Sequence, residues 1–69
     1  MKINETLKDA LTLKYQGAIA TAKANISVYL TNPAGIGDHP DLISAIDTEM
    51  DKAAEAWDKL TFLENEVEW

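Results

Sequence analysis

The side chain best able to move a proton near neutral pH is the single histidine, His39. It lies in a stretch crowded with backbone breakers, Asn32-Pro33-Ala34-Gly35-Ile36-Gly37-Asp38-His39-Pro40. Nucleophilic catalysis would pair it with a cysteine or serine and an orienting carboxylate. The chain has no cysteine, and no serine stands at a recognisable spacing from His39. The expectation is a helix cap and a protein that is not an enzyme. Gly35-Ile36-Gly37 suggests a phosphate loop, in which glycines let the backbone approach an anion at a helix N-terminus. Here no strand precedes it, the third glycine and the following lysine are missing, and Asp38 and Asp41 already place negative charge there. The simpler reading is that the glycines take backbone angles other residues avoid, with Ile36 tucked over the open end of a hairpin.

Two further patterns concern metals. Asp47-Thr48-Glu49-Met50-Asp51 mimics the first ligands of a calcium loop, but Lys52 stands where the turn glycine belongs and Asp58 where the bidentate glutamate belongs. Asp47, Asp51, Glu55 and Asp58 read instead as an acidic, solvated ridge on one helical face. Zinc sets need more cysteine or histidine, and a di-iron bundle needs paired Glu-x-x-His motifs. No metal and no cofactor are expected.

The elements that would carry these residues are two helices. In the first half Ile3, Leu7, Leu11, Tyr15, Ala18, Ala22, Ile26 and Tyr29 recur every three or four residues, which is one face of a helix over about 4–30. Asn4 is the candidate N-cap, with Glu5 favourable in the first turn. Residues 17–24 are nearly all small, either a surface for close helix approach or simple helix filler. Pro33 pushes Asn32 out of the helical region, so the loop spans 31–39. A second helix over about 40–66 starts at Pro40, capped by His39 or by Asp38, with a stripe of Leu42, Ile46, Met50, Ala53, Trp57, Leu60, Leu63 and Val67. The fold class is therefore all-α: one antiparallel two-helix hairpin.

Folding the chain at Ile36 predicts facing residues whose numbers add to 72, such as Ile26 with Ile46, Ala22 with Met50 and Tyr15 with Trp57. Lys8 with Glu64, Lys14 with Asp58 and Lys23 with Glu49 obey the same register. Charge supports the pairing: residues 1–30 hold four lysines against two acids, and residues 40–69 hold two lysines against nine acids. The net charge of −6 argues against nucleic acid as a partner. The start, Met1 to Thr6, has no apolar signal-like run, and no stretch approaches the roughly 18 apolar residues of a membrane span, so an intracellular, soluble chain is expected. Sixty-nine residues without a disulfide rarely bury enough surface to be stable alone. Leu13, Ile19 and Leu30, with Ala45, Ala54, Ala56 and Phe62, lie beside the predicted seam, and a two-fold dimer forming a four-helix bundle would bury them. Trp57 is expected to face Tyr15. Trp69 either folds back on Leu7 or Ile3 or anchors a partner.

The string Tyr29-Leu30-Thr31-Asn32-Pro33-Ala34-Gly35-Ile36-Gly37-Asp38-His39-Pro40-Asp41-Leu42, followed by Ala45-Ile46-Asp47 and Asp58-Lys59-Leu60, resembles short uncharacterised helical-hairpin proteins of T4-like marine cyanophages and related tailed phages. Those proteins tend to carry Val at Ala34, Glu at Asp38 and a polar residue at Trp57, which implies that Trp57 is not obligatory in the core. The resemblance transfers no activity; it implies the infected bacterial cytoplasm or the virion as location. The expected function is a self-associating, non-enzymatic interaction protein, such as a minor virion component or assembly accessory. The alternative is a small phage factor that sequesters a host protein or a small ligand. The candidate interaction residues are Leu13, Ile19, Gly35, Ile36, Gly37, His39, Phe62 and Trp69.

Overall fold

A computed structural model describes residues 2–31 and 41–69. It contains two helices, α1 (Ile3–Thr31) and α2 (Leu42–Asn65), packed against each other along their length as an antiparallel hairpin measuring 49 × 21 × 14 Å. At 1.5 Å per residue, α1 alone accounts for about 43 Å of the long axis.

The ends differ from the sequence expectation in instructive ways. Thr31 belongs to α1 rather than to the loop, and its hydroxyl donates to the Ser27 carbonyl at 2.7 Å, closing the last turn. Asn4 does not cap α1: the helix begins one residue earlier, and the Thr6 amide and hydroxyl both bond to the Lys2 carbonyl, at 3.1 and 3.2 Å. The cap of α2 is Asp41, not His39 or Asp38. Its carboxylate accepts from the Ser44 amide at 3.0 Å and from the Ser44 hydroxyl at 2.7 Å. An aspartate three residues ahead of a free amide is among the strongest N-caps, and its charge suits the positive end of the helix dipole. Asp38, His39 and Pro40 lie outside the described residues.

The largest correction is rotational. In α2 the residues turned toward α1 are Leu42, Ile46, Glu49, Ala53, Ala56, Leu60, Leu63 and, just past the helix, Val67, with Ala45 also buried. Their spacing of four and three is an unbroken heptad. Met50 and Trp57 were expected in this seam; they are instead 53% and 63% exposed, and the neighbours preceding them, Glu49 and Ala56, take their places. One residue is 100° of rotation. The physical reason is size. Ala56 lets α2 approach Ala22, which is 1% exposed, and Ala45 does the same beside Tyr29, whereas an indole at position 57 of the seam would hold the axes apart. On α1, Leu11, Tyr15, Ala22, Ile26 and Tyr29 keep their inward placement, while Ile3, Leu7 and Ala18 are exposed and Ile19 is half-buried.

The register moves correspondingly. Asn4 Nδ2 donates to the Trp69 carbonyl, and the Lys59 ammonium lies 5.9 Å from the centre of the Tyr15 ring, so Lys59 rather than Trp57 faces that tyrosine. The residue numbers of these two contacts add to 73 and 74. None of the expected cross-helix charge pairs forms; Lys52–Glu49 at 3.4 Å and Lys59–Glu55 at 3.0 Å run along α2 instead. Exposed pairs contribute about 0–1 kcal/mol each, too little to hold a register against packing.

Candidate interaction surfaces

A hairpin of two helices has two long flanks, one on each side of the seam, and here they are chemically different. The first flank is apolar. Gln16, Ile19, Ala20 and Lys23 of α1 and Trp57 and Leu60 of α2 line a groove of about 420 Å³. It continues along α1 past Ile26 to Leu30. On α2, Ile43, Met50 and Trp57 fall at intervals of seven residues, so they form one line immediately beside the seam, and all three are exposed.

The second flank is polar at its rim, edged with lysines and acids over a floor that is itself mainly apolar. A groove of about 360 Å³ runs over Tyr15, Ala22 and Ala56 between Lys14, Lys52 and Lys59, and Glu49 forms part of its floor. Glu49 is 7% exposed, and its Oε2 has no hydrogen-bond partner; only Oε1 approaches a cation, Lys52, which itself is largely in solvent. A carboxylate at a seam position with half its acceptors unsatisfied costs stability relative to an apolar side chain. Beside it, the Glu55 carboxylate, through its hydrogen bond and then its charge, raises the Lys59 ammonium above its ordinary value, with a small added pull from Tyr15.

The expected interaction residues are not brought together. Leu13 is 68% exposed on the back of α1, opposite the seam. Phe62 belongs to the polar flank, over a groove with Tyr15, Lys59, Leu63 and Val67. Ile19 alone sits on the apolar flank. Ala45 and Ala56, expected beside the seam, are inside it. Gly35, Ile36, Gly37 and His39 lie outside the described residues. Trp69 folds back on the hairpin: its indole N–H donates to the Leu63 carbonyl at 3.2 Å, and its own carbonyl accepts from Asn4 at the start of α1. Of the small residues 17–24 only Ala22 is buried, and a side chain added at Gly17 would meet nothing within 4 Å. The residues missed were Ile43, Met50 and Trp57 as an outward line; their seven-residue spacing was the available signal.

Among the described residues no group of three histidines, cysteines or acids is placed to hold a metal ion, and no helix is long and apolar enough to cross a membrane. Compared with protein-family models, with curated proteins and with solved structures, the chain has no match.

Proposed function

We propose that this hairpin is a non-enzymatic interaction protein that works in a self-associated form. One observation carries the reading. A compact chain of 7.6 kDa exposes about 4300 Å², whereas this one exposes 5290 Å². Among the described residues no large side chain is fully buried, and Leu63 is the only one that approaches it. A two-helix layer has one core-facing stripe per helix, and a second layer is what such a stripe normally requires. The resemblance to phage hairpin proteins supports a place in the infected bacterial cytoplasm or the virion, as a minor virion component or assembly accessory. Sedimentation equilibrium at micromolar concentration tests the reading: the expected mass is a multiple of 7.6 kDa. A monomer that melts cooperatively would overturn it.

A second reading, sequestration of a small ligand, is favoured by the unpartnered Glu49 oxygen under the polar groove. The groove, rather than the 35–39 segment, then holds a ligand bearing a hydrogen-bond donor. Thermal stabilisation by nucleotides, polyamines or amino acids, lost in Glu49→Ala, is the expected result; no shift with any of them would eliminate this reading.

A further inference from the structure

We infer that the apolar flank is covered by a second copy of this chain, related by a two-fold axis that runs along the helices, so that α1 of each copy lies on α2 of its partner. The inference rests on the self-association proposed above and adds the face and the arrangement. The face follows from exposure. Ile43, Met50 and Trp57 stand exposed in one line on α2, and the groove between Trp57 and Ile19 of α1 is open to solvent. Extent agrees as well. The surplus of roughly 1000 Å² over a compact chain, summed over the whole surface, leaves room for the roughly 800 Å² per partner that a standard interface hides.

Charge then selects the arrangement. Two antiparallel hairpins stacked flank to flank have two two-fold solutions. An axis across the helices puts α1 on α1 and α2 on α2. An axis along them puts α1 on α2 twice. The α2 helix carries six acids against two lysines, and α1 carries three lysines against two acids. The first solution therefore sets two acidic helices side by side within about one Debye length, roughly 8–10 Å, whereas the second sets the basic helix on the acidic one at both contacts. Rotation about an axis along the helices also leaves every residue at its own height. Trp57 and the α1 residues Gln16, Ile19, Ala20 and Lys23 already share one level, because they line one groove. The partner's Trp57 consequently arrives over these same four residues, giving its indole an apolar floor at Ile19 and Ala20 and a cation at Lys23.

Two measurements on the full chain test this. In sedimentation equilibrium, Trp57→Lys is expected to weaken association at least about 100-fold, as loss of an interface anchor does, while Leu13→Lys and Phe62→Lys, on other faces, change it by no more than about 3-fold. Equal weakening by all three would overturn the assignment of the face and leave self-association standing; a monomeric unmodified chain would remove both. Because the chain has no cysteine, Thr31→Cys gives a single spin-label site at one end of the hairpin. Helices spaced 8–10 Å apart predict a label separation of roughly 15–30 Å for an axis along the helices; the alternative axis places the labels at opposite ends, about 40 Å or more apart. The short distance supports the arrangement, and the long one overturns it.

Discussion

The two flanks of this hairpin are built on the same seam and differ in the charged groups that edge them. One presents a tryptophan, a methionine and an isoleucine to solvent in a single line, and the other hides a carboxylate under lysines. Both flanks are unfavourable for an isolated hairpin, for different reasons. The apolar flank keeps hydrophobic surface in water, which costs about 25 cal/mol for each Å² left exposed. The polar flank withdraws Glu49 from water without giving both oxygens partners. The first cost vanishes when another surface arrives. The second is not relieved by covering the apolar flank, and it fits a role in specificity, since a polar residue at one seam position penalises other registers.

That contrast can be broken most sharply at Glu49. Glu49→Leu removes the buried carboxylate and fills a seam position, and it is expected to stabilise the hairpin by about 1–4 kcal/mol, seen as a higher urea midpoint in equilibrium unfolding. A loss of stability would mean that Glu49 is satisfied in solution. The next largest effect belongs to the other flank. Trp57→Ala is expected to cost about 2–3 kcal/mol of assembly while leaving the hairpin's helicity intact; the check is whether a concentration dependence of the melting temperature, expected for the parent chain, is lost in the variant.

Asp41→Ala tests an element common to both flanks, the start of α2. Removing the two bonds to Ser44 is expected to destabilise by about 1 kcal/mol, with Asp41→Asn losing less, measured by the same unfolding curves. Gly17→Ala distinguishes filler from a contact surface in the small-residue run. With open space around Gly17, the helix should gain about 0.5–1 kcal/mol, and a loss of stability or assembly would instead show that another surface approaches there. The smallest effect is on the polar flank. Glu55 raises the Lys59 ammonium above its ordinary 10.5. Its pairing therefore supports folding fully below that value and fades as the pH climbs through and beyond it. Because Lys59 is exposed, Glu55→Gln should abolish only a slight alkaline decline in melting temperature, and a change near neutral pH would contradict the assignment.

Much of the architecture was legible before any coordinates. The prolines and glycines of 32–40 divide the chain, the three-to-four spacing on either side specifies helix, and a short connection between two helices leaves antiparallel packing as the economical outcome. Lys2, Lys8, Lys14 and Lys23 against the acids of residues 40–69 made the charge asymmetry plain, and the arrangement proposed for two copies rests on it. The capping residue was misplaced by two positions because Pro40 suits the first helical turn so well; Ser44, whose amide and hydroxyl both bond to Asp41, was the overlooked clue.

The composition and spacing of the chain settle that there are two helices, where they divide and which is acidic. The angle at which each helix meets the other is decided only when they pack. Glu49 and Met50, like Ala56 and Trp57, are adjacent pairs 100° apart, and both members of each pair continue a helical stripe. Hydrophobicity alone favours Met50 and Trp57. Close packing against Ala22 favours Ala56, and because α2 is rigid, accepting Ala56 brings Glu49 inward and sends Met50 and Trp57 outward together. Burial is a property of the pair of surfaces, not of either residue, and so the seam, the buried carboxylate and the exposed tryptophan are tertiary decisions.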